Sequence, residues 1–198
     1  MTALSQPFGL RPVGNGDGPG SITNAVTSYI ASGYGSNIGY YTPITITGSG
    51  VINVATTSSN VDGVFLGWRP LVGANSGAIT NIPLNQWTAG TTYSGNAQFY
   101  VKLFTNNPAD LYEIQANGSV IQTSVGDQAN LVNPGNVNGL GFSTAALSSS
   151  VVGAGNNAQF QIVDLAPAYN TSNAWGDAYT IVRVRPSKSG FFASYNAF

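Results

Sequence analysis

Enzymes work through groups that move protons, hold metals or attack carbon, and this chain has few of them. It contains no histidine and no cysteine. Their absence removes Ser/His/Asp and Cys/His machinery, thiolate metal sites, the commonest general base and the commonest zinc ligand. Lysine-activated nucleophiles would fall to Lys102 or Lys188, yet the first sits mid-strand by pattern, the second lies in a Pro/Ser/Gly tail, and neither has Ser-x-x-Lys spacing. Paired carboxylates across a cleft can hydrolyse glycosides, and the candidates are Asp17, Asp62, Asp110, Glu113, Asp127, Asp164 and Asp177. No spacing pairs them. Asp17-Gly18 and Asp62-Gly63 have the form of turns, Asp110 follows Asn107-Pro108 in another, and Glu113 is expected to face solvent from a strand. Asn15-Gly16-Asp17-Gly18 lacks the regular acidic ligands and closing Glu of a calcium loop, and Gly14 to Gly20 lacks the Gly-Lys-Ser/Thr ending of a phosphate loop. No catalytic residue, cofactor-binding residue or metal ligand is assigned, and the chain is expected not to be an enzyme. A carboxylate glycosidase is the catalytic alternative.

The elements that would position any site read as strands. In Ala97 to Phe104, Ala97, Phe99, Val101 and Leu103 share one face, with Gln98, Tyr100 and Lys102 on the other. Leu111 to Ala116 sets Tyr112 and Ile114 against Glu113 and Gln115, and Ala158 to Ile162 sets Phe160 and Ile162 against Gln159 and Gln161. Less regular candidates are Ala25 to Ile30, Ile38 to Ile46, Val51 to Val54, Val61 to Trp68 and Tyr179 to Val184. In the last of these Thr180, Val182 and Val184 oppose Arg183 and Arg185. No long amphipathic helix is present in the pattern, and Asp127 to Val132 is expected to make at most one helical turn. Asn133 to Gly141 and Ser148 to Asn157 read as long surface loops. The expected fold is all-β, an antiparallel β-barrel or jelly-roll-like sandwich with an extended N-terminal arm.

That arm is residues 1–20, and the body is residues 21–198. Pro7, Pro12 and Pro19 together with Gly9, Gly14, Gly16, Gly18 and Gly20 break any regular element within it. Phe8, Leu10 and Val13 are apolar groups that an arm would waste unless something buries them. Docking on a partner is the expected use, and folding back onto the chain's own body is the alternative.

Only 7% of the residues are charged, where a typical soluble domain carries about a quarter. Solubility must come from Ser, Thr, Asn, Gln and Gly, and a neutral surface of that kind suits close packing beside other copies. With net charge −1 and pI near 4.9 there is no basic footprint for phosphates, so neither nucleic acid nor an anionic membrane is an expected partner. No apolar run reaches bilayer length, and Met1 to Pro7 lacks the cationic and apolar regions of a signal peptide. Trp68, Trp87, Trp175 and ten tyrosines are read as packing residues, with a sugar-binding surface as the minority alternative.

Several motifs follow in order along the chain: Phe8-Gly9-Leu10-Arg11-Pro12-Val13, Tyr29-Ile30-Ala31-Ser32-Gly33-Tyr34, Asp62-Gly63-Val64-Phe65-Leu66-Gly67 and Trp87-Thr88-Ala89-Gly90-Thr91. Later come Ala109-Asp110-Leu111-Tyr112-Glu113-Ile114-Gln115 and Asn173-Ala174-Trp175-Gly176-Asp177-Ala178-Tyr179. Taken together they resemble motifs of the tailed-bacteriophage capsid decoration, or cement, proteins. Where such proteins often carry a Gly-Asp turn, this chain departs with Gly39-Tyr40-Tyr41-Thr42-Pro43. The resemblance implies a virion structural protein on the outer capsid surface, made in the bacterial cytoplasm. Its partners would be the major capsid protein and itself, as a homotrimer or homodimer, with no cofactor. On that reading Phe8, Leu10, Arg11 and Val13 anchor the arm on the capsid, with Arg11 pairing a neighbour's carboxylate. The non-enzymatic alternative is a virion or surface adhesin that binds a receptor or glycan.

Overall fold

The computed structural model describes residues 4–13, 25–70, 86–92, 97–103, 110–153, 156–167 and 172–188. Runs of β-branched and aromatic residues between Gly, Asn and Ser turns give β1 (Arg11–Val13), β2 (Ala25–Ile30), β3 (Ile38–Gly39), β4 (Pro43–Ile46), β5 (Ile52–Val54), β6 (Gly63–Pro70) and β7 (Gln86–Trp87). They continue with β8 (Ala97–Leu103), β9 (Leu111–Gln115), β10 (Gln128–Ala129), β11 (Leu131–Val132), β12 (Ala146–Leu147), β13 (Phe160–Leu165) and β14 (Ile181–Pro186). The expected all-β class is what forms.

Two five-stranded antiparallel sheets carry the fold, in the orders β1-β9-β14-β13-β10 and β2-β8-β6-β4-β5, with ribbons β11-β12 and β3-β7 beside them. A lone parallel bridge between Tyr29 and Val51 brings the edges of the second sheet together. Each sheet has its own core. Leu10, Tyr112, Ile114, Phe160, Ile162, Val182 and Val184 lead the first, and Ile30, Ile38, Ile44, Ile52, Trp87 and Val101 the second. Strand β6 belongs to both. Its side chains alternate, so Val64 and Leu66 enter the first core while Phe65 enters the second. This explains why Val64-Phe65-Leu66 is a continuous apolar run and not an alternating one.

Two expectations need correction. Asp127 to Val132 is not a helical turn: Gln128 and Ala129 pair with Gln161 and Phe160, and Leu131 and Val132 pair with Leu147 and Ala146. Strand partners distant in sequence outweigh local propensity there, and the short 3-10 turn lies earlier, at Gln122–Ser124. Ile38 to Ile46 is not one strand either, because Tyr41 adopts φ 68° and separates β3 from β4.

Candidate docking face around the amino-terminal segment

The described part of the arm, residues 4–13, lies on the body. Gly9 turns with φ 80°, and a Cβ there would meet Ser143 Cβ and the Tyr41 carbonyl oxygen at 2.6 Å, so only glycine lets the segment descend at this point. Leu10 then donates its N–H to the Tyr41 carbonyl at 3.0 Å and drops its side chain, 0% exposed, into the first core. Arg11, Pro12 and Val13 add an edge strand to β9, a position that tolerates proline because the outward side of an edge needs no ladder donor. Of the four expected anchors, Leu10 is buried within its own chain, while Phe8, Arg11 and Val13 are half-buried.

Register builds a charged row across this sheet. Arg11 stands opposite Glu113, Glu113 opposite Arg183, and Arg183 opposite Asp164. Arg11 reaches Glu113 Oε2 through both Nη2 and Nε, the latter at 3.2 Å, and Arg183 Nε stands 3.5 Å from Oε1. The carboxylate's side chain is only 1% exposed, which corrects the expectation that Glu113 faces solvent. Strand alternation places Glu113 and Gln115 opposite the Tyr112 face, but that second face is itself roofed. Gln6 donates its N–H to Gln115 Oε1 at 2.8 Å, and Gln115 Nε2 donates to the Leu4 carbonyl at 3.0 Å. A buried carboxylate survives such a roof when cations flank it. Arg11 also lies over the Phe8 ring, 5.0 Å from its centroid.

Asp62, Asp164 and Asp177 hold the chain's own backbone, and Asp110 sits beside the Tyr112 ring. Asp62, expected in a turn, precedes β6 and is 4% exposed; its Oδ2 accepts from Ile46 N at 2.8 Å and Thr45 Oγ1 at 3.0 Å. Asp177 closes the Asn173 to Tyr179 turn by accepting from Ala174 N at 2.9 Å, and Trp175 packs on the first core from the same turn. Asp164 accepts from Leu165 N at 2.7 Å. Burial, helped by the charge of Asp110, pushes the Tyr112 phenol far above its ordinary range. Among the described residues no three His, Cys, Asp or Glu side chains stand close enough to hold a metal. Asp17 and the Asn15 to Gly18 run lie outside the described residues, as do Arg69, Lys102 and Trp68 where their side chains are concerned.

Beside the arm is a cluster that sequence reading passed over. Tyr40, Tyr41 and Phe142 are half-buried, with ring centroids 4.4 Å (Tyr40 to Tyr41), 5.9 Å (Tyr40 to Phe142) and 6.4 Å (Tyr41 to Phe142) apart. Burial raises the phenol pKa of Tyr40 and of Tyr41; for Tyr41 the neighbouring Tyr40 adds to the rise and Arg11 opposes it. The available signal was the adjacent pair Tyr40-Tyr41 in the sequence. The face as a whole offers rings, amides and one compensated cation, which suits recognition by contact. No family model matches the chain, and no curated protein or solved structure does either.

Proposed function

We propose that the chain is a structural subunit of a tailed-phage particle, seated on the outer capsid surface, where it braces neighbouring major capsid protein subunits and performs no catalysis. The order of family-like motifs along the sequence motivates the assignment. The observation that carries the non-catalytic part is where the few charges go. Glu113 is locked between Arg11 and Arg183, Asp62 and Asp177 hold backbone amides, and Arg185 Nε donates to Gln161 Oε1 at 2.7 Å. Groups committed in this way stiffen the fold and, among the described residues, are taken up by the chain's own structure.

A shell under internal pressure fails where capsomers part. A neutral body that contacts several of them adds interface across the opening gap, and each specific contact would bury on the order of 800 Å² per partner. Association of the subunit with itself, as a dimer or trimer, reinforces weak contacts through effective concentration. The N-terminal segment contributes Phe8 and Val13 at the outer edge of the first sheet, with Leu10 and Arg11 fixing their position.

The test is co-sedimentation of the purified chain with capsids of the encoding phage from which this subunit has been removed, followed by electron microscopy. Saturable binding at symmetry-related positions, with capsids that withstand higher temperature, is the expected result. A chain that ignores the capsids, or one that hydrolyses a glycoside, would overturn the assignment. Deletion of residues 1–20 is a poor probe, since it also removes Leu10 from the core and Arg11 from Glu113.

A further inference from the structure

The contacts that seat residues 4–13 are made with groups beyond residue 40. Gln115 clamps the start of the segment through both ends of its amide, accepting from Gln6 N at 2.8 Å and donating to the Leu4 carbonyl at 3.0 Å. Leu10 N donates to the Tyr41 carbonyl at 3.0 Å, and its side chain fills a place in the first core, to which β6, β9, β13 and β14 contribute. Arg11 to Val13 pair with Leu111 to Glu113, and Arg11 meets the Glu113 carboxylate. The contact internal to the segment, Arg11 over the Phe8 ring at 5.0 Å, would travel with it. Because β1 stands at the edge of its sheet, its departure breaks one ladder and leaves β9, β14, β13 and β10 paired in order. Covalent connection to this particular body runs through residues 14–24, which join β1 of the first sheet to β2 of the second.

We propose that residues 4–13 exchange between two copies of the chain, each copy's segment filling the seat on the other's body, so that the partner at this sheet edge is a second copy of the same protein. The seat itself specifies its occupant. Vacated, it would leave the Leu10 place in the core open, Glu113 with one guanidinium in place of two, and the Gln115 amide without the Gln6 and Leu4 backbone. Groups buried in that way are costly to leave unmatched, and residues 4–13 are the sequence that matches them. A segment arriving from another copy meets the same groups, so the closed and exchanged forms differ in chain connection and not in contacts. Reach limits the geometry. Residues 14–24 span at most about 36–40 Å when extended, against a body roughly 40 Å across for a chain of this length, so exchange joins copies that touch. A connection this short presents the chain's own segment at an effective concentration in the millimolar range, and exchange competes once copies are crowded to the same degree. A shell that seats copies side by side meets that condition, but the inference goes beyond the capsid-subunit reading and needs no capsid.

The test is disulfide trapping in the full chain, which has no cysteine of its own, so introduced thiols report on each other alone. Val13 and Leu111 are half-buried and stand opposite each other in the β1–β9 register. Opposed Cα atoms of an antiparallel pair lie about 4.5–5.5 Å apart, within disulfide reach. The first sample is the double variant Val13→Cys/Leu111→Cys, oxidised at about 10 µM, far below the effective concentration of the chain's own segment. A monomer with an internal bond is expected, and the absence of any bond refutes the register and the exchange with it. The second sample is an equimolar mixture of the single variants Val13→Cys and Leu111→Cys, incubated and then oxidised at about 1 mM. No chain in that mixture holds both thiols, so a bond between positions 13 and 111 forms only between copies. Peptide mapping is expected to find this bond in roughly tenfold or greater excess over the bonds that join like positions, because exchange sets the unlike thiols face to face. The proportions of random collision, or no bond between positions 13 and 111, overturn the exchange. Neither sample involves capsids, so that failure leaves the capsid-subunit reading standing, and a chain that ignores capsids leaves the exchange standing.

Discussion

Replacing Glu113 by Gln tests the charged row directly, because the substitution keeps the size and one carbonyl oxygen of the side chain and removes only its charge. Two guanidiniums then face each other across one strand with no anion between them. For fully buried pairs, removal of one partner costs about 3–5 kcal/mol. Here the carboxylate's side chain is 1% exposed, but those of Arg11 and Arg183 are 32% and 24% exposed and regain some water. The cost is therefore set at about 2–4 kcal/mol, with about 3 as the working value. For a chain of this length that corresponds to a melting temperature lower by roughly 6–12 °C, at 2–4 °C per kcal/mol. Arg11→Gln should cost less, about 1–2 kcal/mol, since Arg183 still compensates the carboxylate. Urea unfolding of both single variants and of the double variant gives the coupling energy, and added salt should change it little because the pair is shielded from bulk ions. A solvent-facing glutamate would instead cost no more than about 0.5 kcal/mol. That result for Glu113→Gln would refute the buried placement of the carboxylate between its two arginines.

Two further outcomes follow from the same structure. The raised Tyr112 phenol means that above pH ~10 the unfolded chain ionises this group while the folded chain keeps it neutral. Its stabilising contribution is complete below that pH and falls by about 1.4 kcal/mol per pH unit above it. Urea midpoints between about pH 9 and 11.5, a span around the ordinary tyrosine pKa, should slope less steeply in Tyr112→Phe; an unchanged slope would place the ring in water. Gly9→Ala and Gly50→Ala both put alanine at φ near 80°, but only the first meets atoms at 2.6 Å, while nothing lies within 4 Å of the second. Thermal melts should show a loss of about 1 kcal/mol for Gly50→Ala, the left-handed cost alone, and clearly more for Gly9→Ala.

Strand identity was largely legible in the sequence because β9, β13 and β14 carry alternating apolar residues that face one core. Tyr112, Ile114, Ile162, Val182 and Val184 all stand where alternation put them, at 0% or 1% exposure. The opposite face was misread for a physical reason. Alternation tells which residues share a side and says nothing about a cover contributed from a distant part of the chain. Glu113 thus read as solvent-facing while being 1% exposed, and Gln115 and Gln161, set on the faces opposite the apolar residues, are 3% and 1% exposed. Gln159 shows what such a residue does inside: its Nε2 donates to the Thr56 and Ser59 carbonyls at 2.8 and 2.7 Å, and its Oε1 accepts from Leu131 N at 2.8 Å. The prolines and glycines of residues 4–13 signalled irregular backbone, yet they did not signal its destination. Gly9 and Pro12 fit the descent onto β9 as well as they fit a free arm. Of the aromatic cluster only the Tyr40-Tyr41 pair was legible, because Tyr40 and Phe142 lie about a hundred residues apart and are joined by the bridge between them.

Strand β6 has a bearing on how the molecule comes apart. Val64 and Leu66 help to seal one interior while Phe65 seals the other, so neither half can lose its packing without exposing the back of the other. Heat or denaturant should therefore meet one cooperative unit with a single transition. Cutting the chain into separately expressed halves would leave one of them with an open seam.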